Sequence, residues 1–166
     1  MAEAGFTHLD GRGQARMVDV GDRDASNREA AAEGRIRMSR PLFERLRQGE
    51  IEKGDVLAVA RLAALQAAKR TWELVPLCHP IPIHGVRVEV ELDDAATAVV
   101  LRARVHTHAR TGVEMEALTA VMVGLLTVYD MAKSFDPGMV IGPVRLLCKD
   151  GGRHGPWQAE QLTDHG

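Results

Sequence analysis

Residues 86–106 constrain the fold more than any other stretch. Val86, Val88, Val90 and Leu92 alternate with Arg87, Glu89 and Glu91. Then Val99, Leu101, Ala103 and Val105 alternate with Val100, Arg102, Arg104 and His106. Successive side chains on a strand face opposite sides, so this period of two marks two half-buried strands. Asp93 and Asp94 sit in the short connection, which makes the pair an antiparallel hairpin. Such a hairpin is marginal alone; its apolar face needs a covering layer.

That layer is present as helical sequence. Asp55 is a good N-cap, and Val56 to Arg70 is rich in Ala and Leu with no breaker, so it reads as a helix that packs closely. Thr111-Gly112-Val113-Glu114 fits a capping box, with Thr111 capping and Glu114 reaching back. The helix that follows is expected to run to about Ser134, with Met115, Leu118, Met122, Leu125 and Tyr129 as its stripe, Val121 and Val128 widening it, and most of its surface buried. A shorter helix should start at Pro41 and end near Gly49. Between the first two, Pro76, Pro80 and Pro82 fix φ and stop any helix in Thr71 to Pro82. Gly34 to Ser39 and Met139 to Lys149 read as further strands, with Pro143 hinting at an edge or bulge. The residues up to about Ala30 lack a clear period and read as irregular, and Asp150 to Gly166 reads as a loose polar tail. Antiparallel strands with helices on one face predict an α+β two-layer sandwich. Residues 1–166 form one domain on this reading, with about 1–15 and 152–166 flexible.

The chain of 166 residues has a formal net charge of -2, which argues against a global basic field for coating nucleic acid but leaves room for a local basic pocket. Met1 to Asp10 holds no apolar run of the kind a signal peptide needs, and Ala117 to Tyr129 is too short an apolar stretch to span a bilayer. A cytoplasmic protein with Cys78 and Cys148 reduced is the expectation.

Leu77-Cys78-His79-Pro80-Ile81-Pro82-Ile83-His84 invites a metal or dyad reading. Adjacent Cys78 and His79 point apart in extended backbone, so one ion rarely takes both, and no metal ligand is assigned. A lone cysteine in apolar surroundings is more often inert packing than a nucleophile. His106 and His108 share a strand face without a partner pair nearby, and read as exposed strand residues. The lysines carry more. Lys53 lies beside a Gly-Asp turn, Lys69 ends a helix, Lys133 lies three residues after Asp130, and Lys149 ends the last strand. Singly each is an ordinary surface cation; converging, they would form a pocket for a polyanion such as a triphosphate. Crowding would also lower a lysine's pKa and make it available as a base. Neither a P-loop nor a dinucleotide fingerprint occurs, so side chains must supply any phosphate recognition.

"MVDVG", "KGDVLAVARLAALQAAKRTWELVPLCHPIPI", "TGVEMEALTAVMVGLLTVYDMAKS" and "MVIGPVRLLCKDGG" resemble the cyclic pyranopterin monophosphate synthases, the accessory protein C family of molybdenum cofactor biosynthesis. The resemblance covers roughly residues 6–155. It implies a ferredoxin-like fold and a hexamer built as a trimer of dimers, with active sites near a subunit interface. It implies a lyase that converts the 3′,8-cyclised dihydro-GTP intermediate to cyclic pyranopterin monophosphate and releases diphosphate. No redox cofactor is implied; Mg²⁺ could accompany the triphosphate. Carried over by motif, Asp130, Lys133 and Lys53 are catalytic. Leu77, Cys78, His79, Met115, Glu116 and Glu114 contact substrate, and Lys149, Lys69 and Arg28 meet phosphates or line the site. The partners implied are this nucleotide-derived small molecule and further copies of the chain, with no nucleic acid and no membrane.

Two other classes fit some of the same features. A nucleotide-binding module would need the polyanion pocket but not the Asp130, Lys133 and Lys53 set. A zinc hydrolase built on Cys78 and His79 fails on ligand spacing.

Overall fold

The computed structural model describes residues 12–153 and 155–160. Its elements are β1 (Ser26–Arg37), α1 (Arg40–Gln48), α2 (Val56–Lys69), α3 (Thr71–Leu74), β2 (Gly85–Asp93), β3 (Ala98–Ala109), α4 (Glu114–Ala132), β4 (Val140–Asp150) and β5 (Trp157–Gln158). The strands form one sheet in the order β2-β3-β1-β4-β5, and all adjacent pairs are antiparallel. The fold is α+β, as the hairpin and helices require. That hairpin forms as read, with Gly85 opposite His106 at one end and Asp93 opposite Ala98 at the other.

β1 lies at the sheet's centre, between β3 and β4. Its helix-facing residues are small: Ala30, Ala32 and Gly34, with Ile36 beyond, all buried. The reason is α4. A Cβ added at Gly34 would lie 2.7 Å from Val121, 2.8 Å from Val144 and 2.9 Å from Leu125. The alanines of α2 do for α4 what β1's alanines do from below. A Cβ on Gly124 would collide with the end of Leu101 and stand 3.2 Å from the Cβ of Ala64. Helix and sheet therefore meet almost backbone to backbone. Fully buried Leu101, Leu125, Phe43 and Ile36 supply the bulk, each about 2–3 kcal/mol of apolar burial.

The opposite face of the sheet is charged. Arg102 bridges Glu33 at 2.6 Å and Glu91 at 2.8 Å, and Arg104 pairs with Glu29. Such exposed pairs contribute little stability but keep this face solvated.

Several local expectations give way. β1 starts at Ser26 rather than Gly34, because its first inward positions are alanines that carry no strand signal by themselves. The capping box at Thr111 does not form: α4 starts at Glu114 with Val113 at the cap and no side-chain cap bond. The Glu114 carboxylate instead folds over Gly112 and lies 3.6 Å from Lys149. One helical turn, α3, forms ahead of Pro76, where none was expected. The tail is not wholly loose, since Trp157–Gln158 pairs with Cys148 and Lys149 of β4. The stripe of α4 holds in part. Val121, Leu125 and Val128 are buried as expected, whereas Met115 and Met122 are exposed and Ala117, Ala120 and Gly124 are buried instead. Counting large apolar residues misplaces the edge of the buried face where the close contacts are made by Ala and Gly.

Other expectations hold. α1 starts with Pro41 in its first turn and ends at Gly49 with φ 72°. Asp55 caps α2 by accepting from the Ala58 amide. The β1–β4 register shifts between Gly34 and Ile36, opposite the Gly142-Pro143 step. α4 is long and apolar enough to cross a membrane by length and composition, yet its buried side packs on α2 and the sheet. Calls on residues 1–11 and 161–166 lie outside the described residues.

Candidate active site

α2 and α4 run in opposite directions, so each end of α4 meets a different part of α2's surroundings. At its C-terminus, Lys133 donates to the Asp130 carboxylate at 2.6 Å, and Lys53, just before α2, donates to the Asp130 carbonyl at 3.0 Å. The fold thus brings together the three residues assigned to catalysis. The Lys133 ammonium holds the Asp130 carboxyl below its usual range, and the carboxylate in turn raises the Lys133 pKa. The expectation of a crowded lysine with a lowered pKa is not met at Lys133. It is a protonated acid, stabilised by an anion in contact with it. All three side chains are exposed.

At the N-terminus of α4 lie two adjoining cavities. The larger, about 740 Å³, is lined by Arg23, Arg28, Glu114, Lys149 and Arg153 among others. The smaller, about 390 Å³, is lined by Leu77, Cys78, His79, Met115 and Glu116, with Val18 and Val20 opposite. Arg23, Thr111, Gly112 and Glu114 line both, so the two form one trough.

Backbone geometry sets the larger cavity. β3 ends beside β1, so Arg28 can donate from Nε to the Ala109 carbonyl at 3.3 Å and from Nη2 to the Arg110 carbonyl at 3.5 Å. Gly151 and Gly152, with φ 92° and 85°, turn the chain after β4. Any Cβ on Gly152 would collide with the Arg28 guanidinium, so glycine here is a condition for that arginine's position. Arg23, Arg28, Lys149 and Arg153 line the cavity together with the carboxylates of Asp22, Asp24 and Glu114, and Lys149 pairs with Glu114. The cations outnumber the carboxylates, which suits a polyanion.

The smaller cavity is less polar. Glu116 is 4 % exposed, and burial pushes its pKa up to about 7, with the neighbouring Glu114 charge adding to the shift. The carboxyl can therefore hold or yield a proton near neutrality. Burial, with the Glu116 charge second, also pushes the half-buried Cys78 thiol up, which leaves it a poor nucleophile. His79 Nε2 lies 2.7 Å from the Val18 carbonyl. A carbonyl only accepts, so Nε2 carries the hydrogen in this contact.

Lys69 does not join either group. It lines a separate cavity of about 410 Å³ with Leu65, Ile81, Ile83 and His84. His84 is exposed, and its Nδ1 accepts from the His108 amide at 3.1 Å. Among the described residues no group of three or more His, Cys, Asp and Glu side chains is disposed to hold a metal ion. Reasoning from spacing did not find Arg23, Arg110 or Arg153. The first comes from an irregular segment with no period, and its one signal was the adjacent "MVDVG" motif.

The two groups are far apart within one chain. Asp130 lies sixteen residues after Glu114 on a continuous helix, roughly 24 Å at about 1.5 Å per residue. Lys53, Asp130 and Lys133 line neither cavity of the trough.

Comparison with known proteins bears on both groups. The family model described as the MoaC family matches residues 17–152, which include Val18 and Arg23 as well as Asp130, Lys133 and Lys149. A protein of Thermomicrobium roseum named cyclic pyranopterin monophosphate synthase is 54% identical over 160 residues, covering 96% of this chain and 95% of that protein. Among solved structures, a de novo designed protein, Foldit4, aligns with 75% of this chain and 99% of its own at 17% identity. Its TM-score of 0.33 is too low to bear on the fold.

Proposed function

The chain belongs to the MoaC family, and on that premise we propose that it converts the 3′,8-cyclised dihydro-GTP intermediate to cyclic pyranopterin monophosphate, releasing diphosphate. It would thereby serve molybdenum cofactor biosynthesis. The observation that carries this reading is the trough at the N-terminus of α4. A cavity lined by three arginines and Lys149, in excess over its carboxylates, adjoins a smaller one with a protonatable carboxyl and a histidine. A triphosphate and a purine-derived ring make the same two demands.

On this reading Arg28, Lys149, Arg23 and Arg153 meet the phosphates, and neutralising their charge makes diphosphate a better leaving group. Glu116, His79 and the backbone at Leu77 and Cys78 face the ring system, with Met115 packing at its edge. Lys133, held protonated by Asp130, gives a proton to the substrate, and Lys53 takes part in the return transfers. Mg²⁺, where it takes part, arrives on the substrate's phosphates.

The separation along α4 supports a composite site. The Lys53, Asp130 and Lys133 group of one subunit would complete the trough of another, in a hexamer arranged as a trimer of dimers. Exposed Met122 and Leu126 on α4 and Leu62 on α2 are consistent with helix faces covered by such copies. With α1, α3 and β5 as additions, β1-α2-β2-β3-α4-β4 in the strand order β2-β3-β1-β4 supports calling the fold ferredoxin-like. A cytoplasmic location belongs to the same proposal.

The direct test is incubation with the cyclised intermediate, followed by assay for the pyranopterin and for diphosphate. Binding of GTP or the intermediate without product would favour a binding module instead. The composite site has its own test. Oligomers mixed from Lys133→Ala and Arg28→Ala chains should regain activity that neither variant has alone. Mixed oligomers as inactive as the parents would place each site within one chain.

A further inference from the structure

The segment Val18–Arg23 belongs to no helix or strand, yet it lines the smaller cavity through Val18, Val20 and Arg23 and the larger through Asp22 and Arg23. Locally it is a compact turn. The Gly21 amide donates to the Asp19 carboxylate at 2.8 Å, and the Arg23 amide donates to the Val20 carbonyl at 3.1 Å. Nothing in that turn fixes where it sits. Among the described residues, His79 reaches it at the Val18 carbonyl, and Arg110 reaches it by donating from Nη1 to the Gly21 carbonyl at 2.9 Å.

Arg110 directly follows the end of β3, and its backbone has a second task. Its carbonyl, with that of Ala109, accepts from Arg28 on the other side of the larger cavity. One residue is thus hydrogen-bonded to both walls, by its side chain to the strap and by its main chain to Arg28. We propose that Arg110 is a positioning residue that sets the strap Val18–Arg23 against Arg28 and so fixes the width of the substrate trough. It does not touch the reacting atoms. It acts through the carbonyl of Gly21 and, behind that, through Val20 and Arg23.

The chemistry favours arginine. A guanidinium is charged at every relevant pH and donates in a rigid fork, so it holds a carbonyl in direction as well as distance. A lysine supplies the charge and one donor on a flexible stem, without the fork. Loss of position at a binding wall weakens substrate and transition state together, which raises KM and spares kcat.

This inference rests on the synthase reading for its kinetic arm only. In Arg110→Ala, KM for the cyclised intermediate should rise roughly tenfold, about 1.4 kcal/mol of binding, with kcat within about twofold. Arg110→Lys should recover part of that loss. Hydrogen exchange read by mass spectrometry should show amides in 18–23 exchanging about tenfold faster in Arg110→Ala, with β3 and α4 unchanged. If α4 also loses protection in that variant, Arg110→Gln, which keeps a neutral donor, serves for both measurements. An unchanged KM, a fall in kcat at constant KM, or unaltered exchange in 18–23 overturns the proposal. The exchange arm needs no substrate. An unaltered chain that makes no product therefore counts against the synthase reading, while the strap's exchange still decides this one.

Discussion

Glu116→Gln should change how stability depends on pH, and the structure gives the size. The Glu116 side chain is nearly inaccessible, and its pKa is raised from 4.5 to about 7, first by burial and then by the Glu114 charge. Between those two pH values the folded chain holds a proton that the unfolded chain has lost. Stability from this group is therefore complete below pH 4.5 and declines as pH rises through 7, after which it is level. The full shift corresponds to a ceiling of ~3 kcal/mol, at about 1.4 kcal/mol per unit. The cavity beside the carboxyl is open to water, so ~2 kcal/mol is the expected figure. Glutamine has the same shape and no charge to bury. Its amide can add a constant offset, so the informative quantity is the slope with pH. Urea unfolding at fixed protein concentration, at pH 5 and at pH 8, should show the variant gaining ~2 kcal/mol relative to the unaltered chain between the two. Parallel pH profiles would refute the claim that Glu116 is buried at a cost, and with it the neutral-carboxyl role in the trough.

The remaining expectations concern the other end of α4 and the layer beneath it. Lys53→Ala and Lys133→Ala should each reduce product formation below detection while circular dichroism and melting temperature stay unchanged, because both side chains are exposed at the ends of elements. Near-normal turnover by either variant removes that lysine from the mechanism. Asp130→Asn should lower kcat more than it raises KM, since the carboxylate's contact is with Lys133. A pure KM effect would recast it as a binding group. Gly34→Ala should cost about 1–3 kcal/mol in chemical denaturation by overpacking, because its Cβ would press on three side chains at once. A neutral or stabilising result would mean that α4 can lift from the sheet more freely than its packing indicates.

Legibility varied with how a residue advertises its role. The β2–β3 hairpin was readable because burial on one face imposes a period of two on both strands. The alanines of α2 announced a close helix contact, and Gly124 and Ala64 make it. The first turns of β1 were not readable, because Ala30 and Ala32 are inward for want of space and look like neither helix nor strand signal. The capping box failed because Glu114 has a competing partner in Lys149, which is close only after the sheet has formed. In the site, motif resemblance marked residues at both ends of α4. It could not show that they lie roughly 24 Å apart, since that follows from the helix being unbroken. Arg23 and Arg110 escaped because their task depends on an irregular strap, whose position no periodicity encodes.

The unbroken run of α4 also links the two groups of the proposed site mechanically. Glu114 and Glu116 ride on its first turn and Asp130 on its last, with Gly124 and the contact over Gly34 at mid-length. A rigid rod wedged at its middle transmits a tilt to both tips in opposite directions. A bulky side chain at Gly124 would therefore disturb both ends of the proposed site, the trough at one and the Lys53, Asp130 and Lys133 group at the other, although it approaches neither. Variation that tunes one half of this site cannot travel through α4 without retuning the other.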